Sequence, residues 1–240
     1  MTTIGVTFAL PAESSEFLHR LGNKSRADRN GVTIVRGTIG QRAIEVLHTG
    51  VGENICRERI AKFLDHQQLD AVISAGFAGS LNNELQVNDL LIAENFSTLV
   101  VKHAQSSLSN VPINAVTMLT LPAAVDSRKE RERIARESGA SAADMETESI
   151  ARACAAHNIP LLALRVITDT PSQPFPAPPM VLFDIEQQQI RIPALTKFFI
   201  THPNCIPNLV YFARRIARAR TILANALVEV VRSIEKASGE

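Results

Sequence analysis

The sequence predicts an α/β fold: a three-layer sandwich with a central mixed, largely parallel sheet between helices. Three observations carry this. Short β-branched runs alternate with helical stretches along most of the chain. The run Leu161–Ile167 is apolar except for Arg165, the pattern of a strand buried on both faces. Glycine and proline sit at the joints, as in His48-Thr49-Gly50-Val51-Gly52 and Asn158-Ile159-Pro160.

The elements follow in order. Ile4–Phe8 reads as the first strand, and Pro11 opens a helix at its first turn. Glu13 falls in that turn, just past the strand's carboxyl end. It is either a dipole-matched helix acid or a site acid. Val32–Arg36 and Ala43–His48 read as strands around the turn 37–41. Gly50 and Gly52 then join a strand to a helix over Asn54–Leu64, where backbone N–H groups can cradle a ligand or simply make a tight joint. The third glycine of a dinucleotide fingerprint and the Gly-Lys-Ser/Thr of a P-loop are missing. Ala71–Ala75 is a strand that opens into Gly76-Phe77-Ala78-Gly79-Ser80-Leu81, small residues against which a ligand can lie. Strands are expected at Leu90–Ala93 and Val116–Leu121.

Ser127–Ser138 reads as a charged, mostly solvated helix ended by Gly139. A second helix is expected to carry Glu146 at its start and to run to about His157. The strand Leu161–Ile167 follows and ends in Thr168-Asp169. In such sheets ligands sit beyond the carboxyl ends of the strands, so Asp169 is well placed for chemistry. As a bare pattern, Thr-Asp there also suits a helix N-cap. A Pro-rich stretch begins at Pro171, Phe183–Ile192 suggests a small extra element, and Asn208–Ile234 is a long amphipathic helix. It either closes the sheet with Arg214, Arg215, Arg218 and Arg220 in water, or uses them to meet an anionic membrane surface or acidic partner. The chain is read as one domain, residues 1–240, with 171–240 as an appendage.

Composition narrows the classes. The chain has 240 residues, is 45% hydrophobic and 20% charged, and carries a net charge of +1. That is ordinary for a globular protein with a sizeable core, and it gives no reason to expect a nucleic-acid partner. Cys56, Cys154 and Cys205 lack CxxC spacing and read as reduced thiols of a cytoplasmic protein. The six histidines are isolated, so no metal site and no cofactor are expected. No apolar run reaches membrane-spanning length, and the opening MTTIGVTFALPAE reads as a strand rather than a signal peptide.

Several stretches together resemble the nucleoside phosphorylase and nucleosidase superfamily. They are Ile4–Glu13, Thr49-Gly50-Val51-Gly52, Ser74–Leu81 followed by Val87–Leu91, Asp144-Met145-Glu146, and Ala163–Asp169. The resemblance implies cleavage of the N-glycosidic bond of a purine nucleoside, with adenine as the base and a 5′-substituted adenosine as substrate. It implies Asp169 as the acid that protonates the purine N7. Glu146 would accept from the ribose hydroxyls, with Met145 packing on the sugar. Glu13 would orient or deprotonate water. Gly76, Phe77 and Ala78 would line the pocket, and Gly50, Gly52 and Ser80 would offer an anion site if phosphate is the nucleophile.

Phe77 stands where a serine is frequent, and the N-terminal Gly-Asp-Pro of purine phosphorylases is missing, which favours water. The short middle and the Pro-rich tail are most similar to hopanoid-associated phosphorylases, implying adenine release from adenosylhopane as an alternative. Phe198-Phe199-Ile200 and the arginine-rich helix would then contact membrane. A nucleoside-binding protein without turnover is the reading of another class, and a homodimer is expected from the family.

Overall fold

The computed structural model describes residues 2–99, 112–175, 183–184, 189–190, 201 and 206–234. Phe198–Ile200 and Cys205 lie outside them. The chain forms the expected three layers. In order, its elements are β1 (Thr3–Phe8), α1 (Pro11–His19), β2 (Gly22–Arg29), β3 (Val32–Ile39), β4 (Arg42–His48), α2 (Glu53–Leu64), β5 (Ala71–Ser80), β6 (Leu90–Ala93), β7 (Ile113–Val116) and β8 (Met118–Thr120). Then come α3 (Arg128–Ser138), β9 (Ala142–Asp144), α4 (Thr147–Ala156), β10 (Leu161–Asp169), β11 (Phe183–Asp184), β12 (Gln189–Ile190) and α5 (Ile206–Ser233).

The sheet runs β2-β3-β4-β1-β5-β10-β6-β7, with β9 branching from the end of β5 and β8 beside it. Its centre, β4-β1-β5-β10, is parallel. The carboxyl ends of β1, β5 and β10 therefore meet at one edge of the molecule. β10 is buried at every position. Its register against β5 shifts between Ile167 and Asp169, so Thr168 is an extra residue and Asp169 lies opposite Gly79. A bulge of this kind re-aims side chains beside a site.

Two apolar layers cover the sheet. Ile4, Val6 and Phe8 of β1 pack with Phe17 of α1 and with Leu223, Leu227 and Val231 of α5. On the other face Ile60 and Phe63 of α2 pack with Ile150 and Cys154 of α4. The helix placed in the sequence as part of an appendage thus contributes to the main core.

Glu146 stands at the start of its helix, as expected, as the N-cap residue of α4. The stretch before it forms strand β9, with Ala142 and Ala143 paired to Ser80 and Gly79. The structure corrects two expectations. Val116–Leu121 is divided between β7 and β8. Gly22–Arg29 is an additional strand, exposed over most of its length and paired, among the described residues, with β3 alone, which is why its polar sequence carries no burial signal.

Candidate active site

Three buried acids lie at the carboxyl edge of the sheet: Glu13, Glu146 and Asp169. Glu13 sits in the first turn of α1. Its carboxylate accepts the Leu10 N–H at 3.0 Å and the Phe77 N–H at 3.2 Å. The first bond is the helix-capping role. The second ties the acid across to β5. A side chain at position 76 would stand 3.2 Å from Glu13 Oε1, so Gly76 allows this approach. Burial pushes the Glu13 pKa above the ordinary value, against the pull of these N–H donors and of Arg165.

Glu146 caps α4 from the opposite side. Its Oε1 accepts the Gly52 N–H at 2.9 Å. Burial, reinforced by the Asp144 and Glu13 carboxylates, pushes its pKa to about 8. Glu13, Glu146, Arg165, Thr7, Thr49, Ser74, Gly76 and Phe77 are among the walls of a cavity of about 10 Å³. That is close to the volume one water requires. The Thr7 hydroxyl on this wall is buried and has no partner among the described residues.

Arg165 organises the floor. Its guanidinium bonds Asp144 Oδ2 at 2.9 and 3.1 Å, the Ser74 hydroxyl at 2.8 Å and the Ser74 carbonyl at 2.6 Å. Asp144 in turn accepts from the Thr147 N–H and hydroxyl and from the Thr120 hydroxyl. This buried, fully bonded pair fixes the turn that presents Met145 and Glu146. Met145 is half-buried in that turn.

Asp169 lies farther along β5, outside the small cavity. It is 1% exposed. Its Oδ2 forms an ion pair with Arg131 of α3, and its Oδ1 accepts the Thr168 hydroxyl at 3.1 Å. Burial raises its pKa, while Arg131, Thr168 and Arg215 pull it down. Arg131 is the neighbour of Asp169 that the sequence reading missed: it was placed in a solvated charge run, yet it is buried. The available signal was Ile134, the apolar residue three positions on, which shares its helix face.

The remaining expected site residues divide. Ala78 is packed in the core with Ile167. The Gly50 N–H donates to the Ala9 carbonyl and the Gly52 N–H to Glu146. The Ser80 hydroxyl donates to the Asn82 carbonyl at 2.6 Å. The donors expected to cradle an anion are therefore engaged within the protein. Both glycines have left-handed backbone, φ +79° and +92°, which explains their residue type without a ligand. Arg215 of α5, expected in water or on a membrane, is buried and bonds the Gln173 carbonyl at 3.3 Å and Gln173 Oε1 at 3.2 Å.

The chain matches the model of the phosphorylase superfamily over residues 3–106 and 94–199. Among solved structures it is similar to the 5′-methylthioadenosine/S-adenosyl homocysteine nucleosidase of Campylobacter jejuni. The identity is 15% and the TM-score 0.75, with 98% of this chain and 100% of that chain covered. The corresponding nucleosidase of S. pneumoniae, solved with the transition-state inhibitor MT-ImmA, is 20% identical at a TM-score of 0.72, over 98% and 100% of the two chains. A futalosine hydrolase mutant of Helicobacter pylori strain 26695 is 21% identical at a TM-score of 0.64, over 70% and 89%. At these identities the likeness is one of fold.

Proposed function

The chain belongs to the phosphorylase superfamily, and on that premise we propose that it is a nucleosidase that hydrolyses the N-glycosidic bond of a 5′-substituted adenosine and releases adenine. The observation that carries this is the placement of Glu13 and Asp169 against Gly76 and Gly79 of one strand. Glu13 shares a small buried cavity with Glu146 beside Gly76, and Asp169 stands opposite Gly79 three residues farther along the same strand.

In this reading Asp169, whose pKa burial pushes up against the pull of Arg131, gives a proton to the purine N7. That lets the bond to the ribose break toward an oxocarbenium-like sugar. General acid catalysis of this kind contributes about 10²–10⁴-fold. Glu146 accepts from the ribose 2′- and 3′-hydroxyls. Glu13 takes a proton from a water in the small cavity beside Arg165. Water is favoured over phosphate because the Gly50 and Gly52 N–H groups and the Ser80 hydroxyl are already bonded internally.

The test is adenine release from 5′-methylthioadenosine, S-adenosylhomocysteine and adenosine, each with and without phosphate. Release at the same rate without phosphate is expected, fastest for the 5′-substituted compounds. Release that requires phosphate, or none from any of the three, would overturn the reading.

A further inference from the structure

The ion pair on the acid poses a chemical question. A general acid must carry its proton on a free carboxyl oxygen, yet Asp169 is held by a buried cation. We infer that Arg131 is the positioning residue of this acid: it takes Oδ2 of Asp169 and leaves Oδ1 to carry the proton to the purine. The inference rests on the reading of Asp169 as the acid.

Every nitrogen of the Arg131 guanidinium is engaged. Nε donates to the Val125 carbonyl at 2.8 Å, Nη1 to the Ser80 carbonyl at 2.8 Å, and Nη2 to Asp169 Oδ2. The first two bonds fix the planar fork to the loop before α3 and to the last residue of β5. The third therefore fixes the carboxyl plane. A proton on Oδ2 would face the Nη2 group, which can only donate, so the proton resides on Oδ1. There the only bonded neighbour among the described residues is the Thr168 hydroxyl, which can turn to accept. Gly79 leaves space for the pair: a Cβ at that position would lie 3.0 Å from Asp169 Oδ2 and 3.3 Å from Arg131 Nη1.

In the step, the Oδ1–H bond breaks and a bond from hydrogen to N7 forms. The bond between the ribose C1′ and N9 breaks with its electron pair entering the purine. Asp169 is left as a carboxylate against Arg131, so the cation stabilises the charge that develops. The other charged groups that bear on the pair are Arg215 of α5, acting on Asp169, and Asp126 of the loop before α3, acting on Arg131.

The test is the pH profile of kcat/KM for adenine release. The protonated acid is required, so activity is lost as pH rises through its pKa. A neighbouring cation lowers that pKa, and removing it raises it, by about 1–3 pH units for a close pair. Arg131→Met is expected to move the alkaline limb up by that amount and to lower kcat more than it changes KM. Arg131→Lys, which keeps the charge without the fork, is expected to leave the limb in place and still lower kcat. Gly79→Ala keeps every buried charge but forces the pair apart, and is expected to move the limb upward. It carries the test together with Arg131→Lys if the methionine variant does not fold.

A folded methionine variant with an unmoved limb would overturn the inference, as would wild-type kcat in the lysine variant together with an unmoved limb in Gly79→Ala. Asp169→Asn separates the two levels. If it retains near-wild-type rates, the assignment of the acid itself fails. If it is inactive while the Arg131 and Gly79 variants behave as wild type, only the role of Arg131 fails.

Discussion

Glu146 shows how a buried acid works against stability. Its pKa is raised from 4.5 to about 8, first by burial and then by the Asp144 carboxylate. The folded protein therefore binds this proton more tightly than the unfolded chain. Stability from this group is complete below the ordinary glutamate value and is lost as pH rises toward about 8. Glu146→Gln removes that loss while its carbonyl can still accept the Gly52 N–H. The variant is expected to melt above the wild type at pH 8 and close to it at pH 5, with adenine release strongly reduced. Parallel melting temperatures across this range would show that Glu146 is not held in an unfavourable environment.

Glu13, Glu146 and Asp169 were legible in the sequence because each flanks a strand end or a motif with recognisable neighbours. Arg131 was not. It sits in Arg128-Lys129-Glu130-Arg131-Glu132-Arg133, where Arg128 and Arg133 pair with surface glutamates and Arg131 alone turns inward. Local charge pattern does not tell one arginine from the next, because the partner that buries it, Asp169, is remote in sequence.

At the scale of elements, periodicity located strands β1, β5, β6 and β10 and helix α2 to within a few residues, since each buries a continuous face; the charged helix α3 was located by its composition and the Gly139 that ends it. Periodicity failed where pairing, not burial, makes the strand. β2 has an almost wholly exposed polar sequence, and β9 is three residues long. The bulge at Thr168 was equally invisible, being a relation between β10 and β5.

Helix α5 was readable as an amphipathic helix closing the sheet, and its apolar face joins the core. Leu227 is fully buried against the sheet with Phe17 and Val6 in the same cluster. Leu227→Ala is therefore expected to cost about 2–5 kcal/mol, the range for a leucine removed from a packed interior. Denaturant unfolding measures this. A loss comparable to that of a surface substitution would make the helix a dispensable addition. Arg215 on the same helix holds the turn after Asp169 through Gln173 and the Pro174 carbonyl. The helix so bears on the site as well as on the core.

For the molecule as a whole, the parallel centre of the sheet explains why the chemistry gathers at one edge. β1, β5 and β10 all end there, and α1 and α4 begin there. Helix starts favour negative charge, which suits Glu13 and the capping Glu146, while Asp169 depends on Arg131 for its counter-charge. The central claim is that water, placed by Glu13, attacks the sugar while Asp169 protonates the base. The most direct measurement is turnover of 5′-methylthioadenosine in oxygen-18 water with phosphate present, followed by mass analysis of the sugar. The account predicts methylthioribose carrying one oxygen-18 at the anomeric carbon and no sugar phosphate. Methylthioribose 1-phosphate without the label would contradict it.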